Sequence, residues 1–352
     1  MRELRVLVVD DSAYNRRTLG TMLESLDQVT VVGKAGDGDE ALRLLTELEP
    51  DLVTLDLEMP RMDGFTFLRF LMARRPTPVI VVSGYSQKDN VFRALELGAI
   101  DFVAKPSRTV TSDLHEIHAE LAEKVRLVRQ LSPASITPRR APRGAPTARF
   151  FTAKAAPVSP RRPKHLVLIG ASTGGPTALL ELFADLPQDS NASIVVAQHM
   201  PERFTKTFAE RLNRLGTFRV KEASAEHSLR AGEAWICPGG RCLEVIGSSV
   251  EWGIRVASPS PEDRYVPSVD RLFSTAARVA GASTLGVILT GMGDDGSQGV
   301  KDLKASGAKI LAEAAESAVI YGMPAAAVRT GAVDQSLPLR ELAGVVATKL
   351  RG

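Results

Sequence analysis

The chain has 352 residues, 44% of them hydrophobic and 24% charged, with a formal net charge of +3. That balance is the balance of soluble globular domains, and the length suggests two or three of them at roughly 100–200 residues each. No apolar run approaches the roughly 20 residues that span a bilayer, and the two cysteines, Cys237 and Cys242, are too few for a disulfide framework.

Met1-Arg2-Glu3-Leu4-Arg5 leads directly into a strand-like run with no apolar signal region, so the expected location is the cytoplasm. Short β-branched runs then alternate with amphipathic stretches. Strands are expected at Arg5 to Val9, Val29 to Val32, Asp51 to Leu55, Pro78 to Val82 and Ala99 to Val103. Helical patterns lie between them, for example Arg16 to Leu26 and Glu40 to Leu48, and a last helix is expected from about Asp113 to Leu131. This alternation predicts a parallel sheet with helices on both faces.

Polar residues mark the carboxyl ends of these strands: Asp10 and Asp11 after the first, Asp56 after the third, Ser83 after the fourth and Lys105 after the fifth. Ligands of open α/β sheets bind at that edge. Three carboxylates there would repel one another unless a hard cation sits among them, and Mg²⁺ suits such donors. A hydroxyl and an ammonium on the same edge suit a phosphoryl group carried by Asp56. Here residues 1 to about 125 resemble the response-regulator receiver family. The match runs through Leu55-Asp56-Leu57-Glu58-Met59-Pro60-Arg61-Met62-Asp63-Gly64 and Lys105-Pro106. The resemblance implies a flavodoxin-like fold with Asp56 as the phospho-acceptor. It also implies Mg²⁺ on Asp11, Asp56 and the backbone carbonyl of Glu58, with Asp10 on or beside the ion. Ser83, Phe102 and Lys105 become the switch residues, a buried core role for Phe102 being the competing reading. Lys105-Pro106 is expected to be a cis peptide.

Ser132 to Lys164 breaks the pattern. It is rich in Pro, Ala and Arg, holds eight basic residues, and has no acidic one. Repeated prolines exclude a continuous helix, so a semi-extended connector is expected, reaching at most about 90 Å. Its charge supplies solubility and spacing, or attraction to an acidic partner or surface.

The alternation resumes at His165 with different motifs. Strands are expected at His165 to Ile169, Ser193 to Ala197 and Thr284 to Leu289. The first leads into Gly170-Ala171-Ser172-Thr173-Gly174-Gly175-Pro176, a literal G-x-S-x-G between a buried strand and a helix. Nucleotide binding at the helix start is the rival for such a turn, but the lysine of a phosphate-binding loop and the Rossmann glycine spacing are both missing. A nucleophilic serine needs a base. Of the five histidines, only His199 ends a buried strand on the Ser172 edge. Asp294 and Asp295 follow the Leu289 strand, and either could orient the imidazole. The order Ser, His, Asp differs from the α/β-hydrolase order, so an independent solution on a Rossmann-like doubly wound fold is expected. The half has no helix-turn-helix pattern and no aromatic-basic face, which argues against nucleic acid.

With these residues in place, nearly the full chain resembles the chemotaxis protein-glutamate methylesterase family. The resemblance rests on Gly170 to Pro176, Gln198-His199-Met200-Pro201, Pro267-Ser268-Val269-Asp270, Leu289 to Gly296 and Tyr321-Gly322-Met323-Pro324. It implies Ser172 as nucleophile, His199 as base, Asp295 as third member, and the amides of Thr173 and Met292 as oxyanion hole. The implied reactions are hydrolysis of glutamate methyl esters on chemoreceptors and deamidation of receptor glutamines, with no cofactor for the hydrolysis. A histidine-kinase phosphodonor is implied, with an unphosphorylated receiver covering the site. An esterase acting on a different signalling protein is the alternative. Tyr265 and Cys242 stand where the family often has histidine, and Gly84 where serine is usual. The expected organisation is a receiver over 1–125 with its helix to about 131, a connector over 132–164 and a catalytic domain over 165–352. The default assembly is a monomer without membrane insertion.

Overall fold

The computed structural model describes residues 3–84, 88–105, 111–129, 131 and 161–351, with backbone alone for 111–116. The expected cis bond at Lys105-Pro106 and residues 132–160 of the expected connector lie outside the described residues. The chain divides into two compact units, Met1–Arg140 and Ala141–Gly352.

The first unit holds five parallel strands, β1 (Leu4–Val9), β2 (Val29–Ala35), β3 (Leu52–Leu55), β4 (Val79–Ser83) and β5 (Asp101–Ala104), in the order β2-β1-β3-β4-β5. Their near-continuous apolar runs follow from burial on both faces; every residue of β3 and β4 is buried. Five helices connect and flank them: α1 (Ala13–Glu24), α2 (Gly38–Leu48), α3 (Gly64–Arg74), α4 (Lys88–Glu96) and α5 (Thr111–Val128). Side chains of Ser12, Asp37 and Asp63 cap the amide groups that open α1, α2 and α3, as short polar residues do at helix starts. The strand order reverses between β1 and β3, and there Asp10 and Asp56 meet. This is the flavodoxin-like arrangement that the receiver resemblance implies.

The second unit is built on seven parallel strands: β6 (His165–Ala171), β7 (Ala192–Gln198), β8 (Arg219–Glu222), β10 (Glu233–Ile236), β13 (Thr284–Ile288), β14 (Lys309–Glu313) and β15 (Gln335–Leu337). Their order is β15-β14-β13-β6-β7-β10-β8. From β6 the chain winds outward through β7, returns to the other side at β13, and winds outward again. The switch point of this doubly wound sheet therefore lies between β6 and β13. A feature absent from the sequence expectation is a separate antiparallel sheet, β11-β12-β9, formed by β9 (Glu226–Ser228), β11 (Cys242–Gly247) and β12 (Trp252–Ala257). It packs on the helix Val269–Val279 (α8), and the two share a core with Trp235, Leu243, Ile254 and Phe273. The remaining helices are α6 (Gly175–Ala184), α7 (Glu202–Asn213), α9 (Ser297–Ala305), α10 (Met323–Arg329) and α11 (Leu339–Arg351). Residues 161–164 already bond to this unit, through Arg161 to Ala231 and Lys164 to Asn191. No described helix is long and apolar enough to cross a membrane.

Candidate active site and phospho-acceptor pocket

In the first unit, Asp10 and Asp56 are buried at the ends of β1 and β3, and Asp11 is exposed beside them. One carboxylate oxygen of each lies within 4.8 Å of the others. The Asp10 carboxylate accepts from the Ser12 amide at 2.8 Å and from Asn15 Nδ2. Lys105 Nζ reaches Asp56 at 2.5 Å and Asp10 at 3.1 Å. Burial pushes the Asp56 carboxyl up to about 6, against the opposing pull of Lys105. Burial alone would depress the Lys105 ammonium, yet Asp56 and Asp10 outweigh it and hold its pKa above the ordinary value. This all-oxygen, multiply anionic donor set fits a small hard dication such as Mg²⁺.

Ser83 is buried at the end of β4, and its carbonyl accepts the Lys105 amide at 2.9 Å. Phe102 is buried in β5, edge-on to Phe92 at 6.4 Å, with Lys124 Nζ 5.1 Å from its ring centre. The described pocket thus gathers Asp10, Asp11, Asp56, Ser83 and Lys105 on one sheet edge, while Phe102 is packed as core. The Glu58 side chain is exposed and accepts from Asn90, and its amide bonds back to Asp56 Oδ1 at 3.3 Å.

In the second unit, Ser172 follows β6 and His199 follows β7, one step beyond the paired residues Ala171 and Gln198. The His199 amide donates to Ala171 O at 3.0 Å, fixing the two turns side by side. From the far side of the switch point, the loop after β13 delivers Asp295. Its carboxylate is 2% exposed and lies 2.8 Å from His199 Nε2. The same carboxylate accepts the amides of Val269, Asp270 and Gly296 at 2.8, 2.9 and 3.0 Å. Two of those amides open α8, so the charge sits where unpaired amides and the helix dipole favour it. Three amide bonds leave the carboxylate no freedom to swing away from the imidazole. In a neutral imidazole, a proton on the nitrogen that faces a carboxylate leaves the other ring nitrogen as an acceptor. Asp294, in contrast, is exposed and points to Arg264 and Tyr265.

The turns of β6 and β13 are laced together. Ser172 donates its amide to Thr290 O at 3.0 Å, and Thr290 Oγ1 donates to Thr173 O at 3.0 Å. The Thr290 amide donates to the buried carboxylate of Glu313 at 2.8 Å. Gly291 allows this contact: a Cβ there would stand 2.7 Å from Ser172 Cβ and 2.5 Å from Met323 Sδ. Met292 follows Gly291 directly, and Thr173 follows Ser172. Gln198, buried beneath, donates to the carbonyls of Ser172 and His199 at 2.9 and 3.0 Å. The roles of Thr290, Glu313 and Gln198 are not among the sequence expectations, because they depend on which turns become neighbours.

The other candidates fall elsewhere. His165 opens β6 at the opposite edge. His118 bonds Ser25 at 2.9 Å, and His227 stacks on Trp235 at 4.2 Å; the His115 side chain lies outside the described residues. Cys242 is fully buried at the start of β11, its thiol pushed up by burial. Tyr265 lies against the His199 ring, with centroids 5.3 Å apart and planes 9° from parallel. A cleft of about 590 Å³ opens beside Asp295, bordered by Tyr265, Arg264, Asp294 and Arg271; Ser172 and His199 are not among its walls.

The two folds and their strand-end clusters define a class: a receiver-type unit joined in one chain to a doubly wound α/β unit that carries a serine, a histidine and an aspartate at its switch point. Residues 167–346 match the family described as CheB methylesterase, and residues 6–117 match the response regulator receiver domain. A protein-glutamate methylesterase/protein-glutamine glutaminase of Geobacter sulfurreducens is 48% identical over 96% of this chain and 95% of its own. One of Myxococcus xanthus is 44% identical over 99% and 97%. The crystal structure of the Thermotoga maritima CheB methylesterase catalytic domain is 34% identical, with a TM-score of 0.51, over 52% of this chain and 97% of that one. The chain belongs to the CheB methylesterase family, and it is a hydrolase that carries its own response-regulator receiver domain.

Proposed function

We propose that the chain hydrolyses glutamate methyl esters on chemoreceptors and deamidates receptor glutamines, with Ser172 as nucleophile, His199 as base and Asp295 as its orienting acid. The observation that carries this reading is the His199–Asp295 pair at 2.8 Å on the strand end adjoining Ser172. Ser172 Oγ attacks the ester carbonyl while His199 takes its proton. The oxyanion is received by the amides of Thr173 and Met292, a device worth roughly 10²–10³ in rate per donor. The carbon–oxygen bond to the methoxy group then breaks, His199 returns the proton, and methanol leaves. Water, activated by the same imidazole, cleaves the acyl-serine to give the glutamate carboxylate. With glutamine the leaving group is ammonia.

On the receiver, Asp56 accepts the phosphoryl group from a histidine-kinase partner. Asp11, Asp56 and the Glu58 carbonyl, with Asp10 beside them, would hold Mg²⁺, which neutralises charge during phosphoryl transfer. Lys105 and Ser83 meet the phosphoryl oxygens, and Phe102 with Ser83 relays the change. Phosphorylation raises esterase activity. The receiver occupies 1–125, the connector 132–164 and the esterase 165–352, acting in the cytoplasm as a monomer. A fluorophosphonate probe tests the nucleophile: it should form one adduct, on Ser172 by peptide mass, absent in S172A. Labelling elsewhere with Ser172 free contradicts the assignment.

A further inference from the structure

Outside the His199–Asp295 pair, one ring lies flat against the imidazole. Tyr265 stacks on His199 at 5.3 Å and 9°. An aromatic face carries negative electrostatic potential, so it attracts a cation lying over it more than a neutral ring. The Tyr265 ring is itself held. Its hydroxyl donates to Asp294 Oδ1 at 3.0 Å. Arg264 grips the same carboxylate through both oxygens at 3.1 Å, and its guanidinium carbon lies 5.3 Å from the Tyr265 ring centre. Gly293 completes the seat: with φ of +82°, it leaves open the space where a Cβ would come within 2.4 Å of the Tyr265 hydroxyl. Burial and then Asp294 push the phenol above its ordinary pKa, so it stays a donor throughout the working range.

We propose that Tyr265 is a positioning residue for His199: its ring fixes the imidazole plane and stabilises the imidazolium formed when Ser172 gives up its proton. The inference rests on the reading of Ser172 and His199 as nucleophile and base. Asp295 restrains one ring nitrogen but leaves rotation about that hydrogen bond, and a flat neighbour removes it. The stabilisation grows as charge develops on the ring, so it acts on the transition state more than on the bound substrate. Among the described residues, the titratable groups bonded to or stacked on the imidazole are Asp295 and Tyr265, and Asp294 and Arg264 in turn contact the tyrosine.

The test is steady-state methanol release from methylated chemoreceptor membranes by the full chain with beryllofluoride present. Y265L should lower kcat about 5- to 30-fold, the span of a desolvated cation–π contact, with KM within about twofold. Y265F keeps the face and should lose only about two- to fivefold. D294A, at an exposed position, should lose a similar amount, and the Y265F/D294A double variant no more than either single. Wild-type kcat in Y265L, or wild-type kcat in both Y265F and D294A, overturns the proposal. S172A and H199Q run alongside. If they are inactive while the Tyr265 variants match wild type, this inference alone fails; if they retain wild-type activity, the nucleophile and base reading fails and takes it along.

Discussion

Asp295 shows how much of a site can be carried by one buried charge. It faces the imidazole and at the same time satisfies three backbone amides, two of them at the start of α8. An amide side chain in its place would turn a donor toward donors. D295N should therefore cut kcat by about 10³–10⁴, as mis-set imidazole tautomers do in serine hydrolases, and should also lower the melting temperature. Rate and thermal melt measured on one preparation check both halves; a rate loss below tenfold contradicts the role. The strand-end residues Asp10, Asp11, Asp56, Ser83, Lys105, Ser172 and His199 were legible in the sequence because parallel strands announce their ends with a polar residue after an apolar run. The choice of Asp295 over Asp294 was not legible from the residues alone: both follow β13, and only the resemblance separated them. The fold assigns them different partners, Asp295 to α8 and His199, Asp294 to Arg264 and Tyr265. Tyr265 itself gave only a departure from a family pattern, since a stacked ring pair across 66 positions has no local signature.

At the scale of elements, the parallel strands were visible because burial on both faces demands unbroken apolar runs. The antiparallel β11-β12-β9 sheet was not, because its strands alternate buried with half-exposed residues and interrupt themselves with charge. Those charges clamp the sheet to α8. Arg271 on α8 bonds Glu244 on β11 at 2.6 Å and Asp263 at 2.7 Å, and Arg255 on β12 bonds Glu244 at 2.7 Å. Burial would raise the Glu244 and Asp263 carboxyls, but for Glu244 the two arginines, and for Asp263 the Ser260 amide and Arg271, prevail and hold both low. Folded values below the unfolded ones mean stability that is present above about pH 4.5 and lost as pH falls through the folded values. R271M should lower the melting temperature at neutral pH by roughly 4–8 °C, from about 2 kcal/mol of charged hydrogen bonds. The gap to wild type should narrow in acid, once the pH falls through the lowered folded values. Melts at neutral and acidic pH check this, and an unchanged gap contradicts it. The Pro267-Ser268-Val269-Asp270 motif acquires a physical meaning at this scale as well: Ser268 caps α8, Asp270 accepts the Gly299 amide of α9, and the Val269 amide holds Asp295.

Two doubly wound units place their chemistry at the same kind of location, the point where strand order reverses. That recurrence follows from topology, since only there do loops leave the sheet in opposite directions and open a crevice. The strand orders themselves were beyond the residue patterns, because parallel pairing joins residues far apart in the chain; for the first unit only the resemblance supplied one. For the receiver to switch the esterase as proposed, moving an equilibrium from 1:99 to 99:1 takes about 5.5 kcal/mol of differential free energy. The most direct test is methanol release from methylated chemoreceptors by the full chain, with and without a small-molecule phosphodonor and Mg²⁺, for wild type, D56N and S172A. Wild type should release methanol and respond to the donor, D56N should retain the basal rate and ignore the donor, and S172A should release none under either condition. Donor-stimulated release by D56N, or methanol from S172A at the wild-type rate, would contradict a Ser172 esterase governed by Asp56.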